Sequence, residues 1–114
     1  MLHFSLDAAG KLAGEGMDIE VIDLRSLSPI DFETVGESIR KTGRVVIVEE
    51  GPKTGGVNAE IAAGIQERFS AYLKAPVARV ASPDVPVPFS PILENAYRPS
   101  VARIIEATRA LVER

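Results

Sequence analysis

The stretch VVIVEEGPKTGGVNAEI, residues 45–61, holds the residues with the most chemical promise. A run of apolar β-formers ends in Glu49 and Glu50, a glycine-rich loop follows, and a helical pattern begins at Val57. Strand, glycine loop and helix form the outline of a phosphate cradle. Glycine lets backbone approach an anion, and a helix N-terminus carries free N–H groups. A nucleotide P-loop needs more: GxxxxGK followed by Ser or Thr, the lysine reaching the outer phosphates and the hydroxyl holding magnesium. Gly51 and Gly56 have that separation, but Val57 and Asn58 follow them, and Lys53 lies inside the loop. The dinucleotide pattern GxGxxG is absent too. Glu49 and Glu50 stand at the loop's mouth, where their charge repels a phosphate. As structure, Gly51, Gly55 and Gly56 supply a tight strand-to-helix turn and let another backbone or subunit approach.

Other chemistry is sparse. His3 is the single histidine, which argues against a His-based triad or a multi-histidine metal site, and it reads as a partly exposed helix residue. The lack of cysteine removes disulfides, thiolate zinc and a thiol nucleophile. Ser82 and Ser90 have no base in reach. Glu49 and Glu50 are neighbours on a strand, so they point to opposite faces and are no acid–base pair. Asp23 ends an expected strand, where functional residues of open parallel sheets sit, and it could equally bond Arg25 or cap a turn. Asp84 and Glu94 have no evident partner. The net charge of −3 with no basic stripe does not invite nucleic acid. No apolar run approaches the ~20 residues of a bilayer span. MLHFSLDAAGKL lacks the basic start and long apolar centre of a signal peptide.

The elements that position these residues alternate. Leu2, Leu6, Ala9, Leu12 and Ala13 recur at helical spacing, with Asp7 and Lys11 as an i,i+4 pair and Gly14 and Gly16 as the stop. DIEVIDL (18–24) reads as a short strand. Asp31 is a good N-cap for a helix burying Phe32, Val35 and Ile39, closed by Gly43. RVVIVEE (44–50) reads as a strand buried on both faces. Val57, Ile61, Ile65, Phe69 and Leu73 mark a helix whose Ala59–Gly64 stretch is bare enough for close packing. APVARVA (75–81) is a third strand. SPDVPVPFSPILENAYRPS (82–100) has five of the eight prolines. It is expected to run extended over the surface, tacked down by Val85, Val87, Phe89 and Ile92, with Pro99 opening a last helix that buries Val101, Ile104, Ile105, Leu111 and Val112. The 114 residues suit one domain, residues 1–114, of α/β class with a mainly parallel sheet.

Taken together, EVIDLRSLSPIDFETVGESIRKTGRVVIVEEGPKTGGVNAEIAAGI and APVARVASPDVPVPFSPILENAYRPS resemble the C-terminal domain of the beta subunit of thiamine-diphosphate-dependent 2-oxo acid dehydrogenases. That family acts on pyruvate, branched-chain 2-oxo acids and acetoin. The specific parts are IDLRSLSPID, the Gly55, Gly56, Glu60, Ile61 segment and PDVPVPFSPILENAYRPS, and the resemblance covers nearly the whole chain. It implies a three-layer α/β/α, transketolase C-terminal-like domain that is a fragment of a longer beta subunit. Thiamine diphosphate and magnesium belong to the full enzyme, and the cofactor site lies in a domain this chain lacks. Neither a catalytic nor a cofactor-binding residue is therefore expected here. The implied role is assembly within the decarboxylating component, which oxidatively decarboxylates a 2-oxo acid and passes the acyl group to lipoamide. The implied partners are the alpha subunit, a second beta subunit and the dihydrolipoyl acyltransferase core. By position, Glu50, Gly51, Gly55, Gly56 and Glu60 would lie at subunit contacts and Arg114 towards the acyltransferase. The setting implied is cytoplasmic, or the mitochondrial matrix in a eukaryote.

One departure stands out. The family carries two further strands before the first helix, one of them in the middle of its five-stranded sheet, and this chain begins at the helix. Buried unpaired backbone groups cost ~1–3 kcal/mol each. The expectation is that the remaining strands close up, that a second copy fills the gap, or that the chain is part of a longer one. Two rival functions stay open: a small anion-binding module using Gly51–Asn58, and a fragment of another transketolase-type enzyme such as one for deoxyxylulose phosphate synthesis.

Overall fold

Four β-branched residues in a row, Val45–Val48, make the centre of the molecule, because such side chains pack well on a pleated surface. In the computed structural model, which describes all 114 residues, they feed strand β1 (Val46–Pro52). β1 pairs in parallel with β2 (Ala78–Ser82), Val46 opposite Ala78 and Val48 opposite Val80, with a break in register before Pro52 meets Ser82. The other elements are α1 (Leu2–Ala13), α2 (Phe32–Thr42), α3 (Val57–Phe69), α4 (Pro91–Tyr97) and α5 (Val101–Val112), with a 3-10 turn at Ser70–Tyr72.

Alternation along β1 builds three layers. Ile47 faces a core of Val35, Ile39, Ile61, Ile65 and Phe69 from α2 and α3. Val46 and Val48 face the other way, towards a cluster of Ala8, Val80 and Ile104 beneath α1 and α5. Burying an Ile65-sized side chain contributes roughly 1.5–3 kcal/mol. The bare stretch of α3 serves close packing as expected: a Cβ at Gly64 would sit 2.3 Å from the Phe32 ring, and the Arg68 guanidinium covers that ring at 4.3 Å. Asp31 caps α2 by accepting from the Thr34 amide at 3.0 Å. Gly43 ends α2 in the left-handed region at φ 70°, where glycine carries no steric penalty.

Several expectations fail. Residues 18–24 form no strand. Asp18–Asp23 make no backbone–backbone hydrogen bond at all, so β-branched residues without a neighbouring strand do not make a ladder. The segment is held by side chains instead: Glu20 accepts from Ser38 at 2.5 Å and from Lys41 at 2.7 Å, and Leu24 packs on the α2–α3 core. The sheet therefore does not close up. A cavity of about 730 Å³ lies between 18–24 and β1. The segment after β2 is not tacked down: Val85, Val87, Phe89 and Ile92 are 55%, 64%, 101% and 81% exposed. It also holds a helix, α4, begun by Pro91, whose missing N–H costs nothing at a helix start. Pro99 is fully buried just ahead of α5, which Ser100 caps through the Arg103 amide. Val112 is 43% exposed rather than buried, and Asp7 and Lys11 do not pair.

Candidate functional site: the glycine-loop junction

The turn from β1 into α3 is bound together by polar side chains. Asn58, in the first turn of α3, is completely buried. Its amide N–H donates to Glu49 Oε2 at 2.8 Å, and its side-chain nitrogen donates to the same oxygen and to the Pro52 carbonyl at 3.0 Å. Arg79 of β2 completes the ring. One of its nitrogens donates to Asn58 Oδ1 and to the Lys53 carbonyl, both at 2.8 Å. Gly56 is required by the same crowding. A Cβ there would lie 2.2 Å from the Pro52 carbonyl oxygen and 2.5 Å from the Asn58 side-chain nitrogen. Gly55 answers a backbone need instead, with φ at 70° and open space around it.

The loop is also fastened to the start of the proline-rich segment. The Lys53 amide donates to the Ser82 carbonyl at 3.0 Å, and the Ser82 hydroxyl donates to the Glu50 carbonyl at 2.5 Å. Asp84, which the sequence leaves without a partner, accepts from the Thr54 amide at 3.0 Å and from its hydroxyl at 2.6 Å. These Thr54 bonds, helped by the charges of Lys53 and Arg79, hold the Asp84 carboxyl below its ordinary pKa. No local signal could have shown this contact, because thirty residues separate the two.

This geometry answers the phosphate question. The place an anion would take at the start of α3 is filled by the protein's own Glu49 carboxylate, already bonded to the Asn58 amide. Glu49 and Glu50 diverge as alternation requires, Glu49 into the junction and Glu50 exposed. No three His, Cys, Asp or Glu side chains converge as a metal ion's ligands would. His3 is exposed, and Asp23 accepts from Arg25 at 3.2 Å. Of the residues expected at contacts, Glu50, Gly55 and Glu60 are exposed on the junction's surface, and Gly51 and Gly56 are half-buried. Arg114 is exposed beyond α5, beside a shallow hollow with Pro76 and Ala110. It lies in a different part of the chain from the junction and shares none of its bonds. Reasoning from the sequence misses Asn58, Arg79 and Thr54, whose roles depend on β1 and β2 being neighbours.

Comparison with known proteins identifies the family. The transketolase C-terminal domain family matches residues 1–104. The chain is 45% identical over 109 residues to the beta subunit of an acetoin:2,6-dichlorophenolindophenol oxidoreductase of Cupriavidus necator, covering 96% of this chain and 32% of that subunit. It is 48% identical to the mitochondrial pyruvate dehydrogenase E1 component subunit beta-1 of Arabidopsis thaliana, with 96% and 30% covered. The beta subunit of Bacillus subtilis pyruvate dehydrogenase E1 is 42% identical, with 99% and 34% covered. Among solved structures, a split-gene transketolase described as an inactive beta4 tetramer superposes with a TM-score of 0.81 at 32% identity, over 98% of this chain and 35% of that one. The chain thus spans about a third of the length of these relatives. It belongs to the transketolase C-terminal domain family, in its parallel-sheet, α/β/α form.

Proposed function

We propose that this chain is an assembly and subunit-interface domain of the decarboxylating component of a 2-oxo acid dehydrogenase. The observation that carries the reading is 42–48% identity, over nearly the whole chain, to beta subunits of pyruvate and acetoin-oxidising enzymes. On this reading thiamine diphosphate and magnesium are bound by other parts of the full enzyme, and this domain contributes no reacting group. An apolar strip supports the assembly role. Val85, Val87, Phe89, Ile92 and Leu93 are each more than half exposed, and a run of large apolar side chains on a surface marks a protein contact. The strip begins beside Asp84, whose bonds to Thr54 fix it to the glycine loop. The loop and the strip therefore form one surface, with Glu50, Gly51, Gly55, Gly56 and Glu60 at one end and Phe89 at the other. Its partners are the alpha subunit and a second beta subunit. Arg114, away from that surface, faces the acyltransferase core.

The test uses a full-length beta subunit containing this domain, together with its alpha subunit. The assembled pair should decarboxylate a 2-oxo acid and pass the acyl group to lipoamide. Phe89→Asp should lower assembly, read by size-exclusion chromatography, without changing the circular dichroism of the beta subunit. A pair with no 2-oxo acid decarboxylation, or a Phe89→Asp pair that assembles normally, would sink the respective half of the proposal.

A further inference from the structure

Arg25 holds a backbone conformation that its residue type disfavours. The Ser26 amide donates to the Leu24 carbonyl at 2.6 Å and closes a three-residue turn with Arg25 at its centre. Arg25 has φ 58° and is the only residue other than glycine with a positive φ. A side chain there crowds its own backbone, and a turn of this kind is strained. Glycine adopts the region freely, as at Gly16, Gly43 and Gly55. An arginine kept at such a position points to a use for its side chain.

That use does not lie within the chain. The Arg25 side chain is 84% exposed and bonds only Asp23, through Nε at 3.2 Å, and an exposed pair of this kind contributes little. Other arginines reach across the fold: Arg44 donates to the Leu111 carbonyl, Arg103 to that of Ala81 and Arg79 to Asn58. Asp23 steadies the Arg25 guanidinium and leaves both terminal nitrogens without a partner, a planar fork that fits the two oxygens of a carboxylate. Asp23 also disfavours a phosphate, which brings more negative charge than a carboxylate does. Leu27, 55% exposed, places an apolar side chain two residues on, which suits a protein surface.

The position of the turn indicates which surface. Glu20 bonds Ser38 and Lys41 near the end of α2, and the chain then returns to Asp31 at its start. A short turn leads from α2 back into β1, so residues 18–30 run in the direction of β1. Arg25 therefore lies at the end of the molecule where β1 meets the glycine loop and where β2, parallel to β1, meets the apolar strip. Glu50 and Glu60 are exposed at that same end, and neither carboxylate has a partner in the chain. One end of the molecule thus carries an unanswered cation, two unanswered anions and exposed apolar side chains. A two-fold pairing of identical ends satisfies all of them, because each copy supplies what the other lacks.

We propose that this end pairs with a second copy of the chain, the Arg25 guanidinium of each protomer meeting the Glu50–Glu60 edge of its partner. The inference rests on the assembly reading and adds to it the charged contacts that set the register of the pair.

The test uses the full-length beta subunit and reads self-association by analytical ultracentrifugation. Arg25→Glu alone and Glu50→Lys/Glu60→Lys alone should each weaken it at least about tenfold. A mixture of these two variants should recover it as mixed pairs, since both reversed contacts are then complementary. Arg25→Gly and Arg25→Ala should weaken it equally, with the glycine variant melting about 2 °C above the alanine one as the backbone strain is relieved. The proposal is overturned if the mixture does not recover, if the glycine and alanine variants melt together, or if Arg25→Glu weakens only the association with the alpha subunit. A wild-type beta subunit that stays monomeric overturns it too, while decarboxylation by the subunit with its alpha partner would still uphold the dehydrogenase reading.

Discussion

β1 is finished at one end and unfinished along one edge. Where it runs into the glycine loop, Glu49, Asn58, Arg79, Thr54 and Asp84 satisfy one another, and no buried side-chain nitrogen or oxygen in the chain lacks a partner. Along the edge facing 18–24, backbone meets an apolar cavity. The two regions differ in what can complete them. Individual polar side chains, near or far in sequence, can close a turn, because each carries its own donors and acceptors. Only another strand can close a sheet edge, because the pairing groups recur along the whole backbone.

Mutations can break this contrast. Ile65→Ala, in the α2–α3 core, should cost about 2–5 kcal/mol, while Ile22→Ala, on the cavity wall, should cost no more than about 1. Urea unfolding of both reads the difference, and equal losses would show that the cavity is not open. Asn58→Ala removes a buried side chain that serves Glu49, Pro52 and Arg79 at once and should cost roughly 3 kcal/mol by the same measurement. Gly56→Ala pushes a methyl into the Pro52 carbonyl and should cost roughly 2 kcal/mol, and Gly55→Ala, strained only by its positive φ, about 1.

Acid gives a smaller effect. Asp84 has a depressed pKa in the folded chain, so its bonds to Thr54 stabilise at pH above the ordinary carboxylate value of about 3.9 and are lost as pH falls through the lower, folded value. Asp31, Glu20 and Glu15 are depressed as well, by Thr34, by Lys41 and by Arg109 respectively. Asp84→Asn should therefore lessen the drop in melting temperature between about pH 6 and pH 3 without abolishing it. The smallest expected effect is none: phosphate added to the chain should leave the Gly51–Asn58 amide resonances in place, since Glu49 already occupies the start of α3. A saturable shift there would restore the anion-binding reading.

Much of the framework was legible because its signals are local. The caps at Asp31 and Gly43, the long helices α1, α2, α3 and α5 and the strand character of RVVIVEE rest on residues within a turn or two of each other, although of residues 44–50 only Ile47 is buried. The site was legible only in part. Glycine spacing and the two acids argued against a P-loop, but the bonds of Asp84 with Thr54 and of Arg79 with Asn58 join residues thirty and twenty-one apart. Val85, Val87, Phe89 and Ile92 misled for a related reason: apolar side chains suggest burial, yet nothing in this chain lies over them.

The sequence by itself determined the four long helices and the family resemblance, because periodicity, caps and residue types are carried by the chain alone. Tertiary structure decided which strands pair. DIEVIDL and RVVIVEE both have strand composition, but only the second has a neighbour, and a strand exists only when another backbone lies alongside to share its hydrogen bonds.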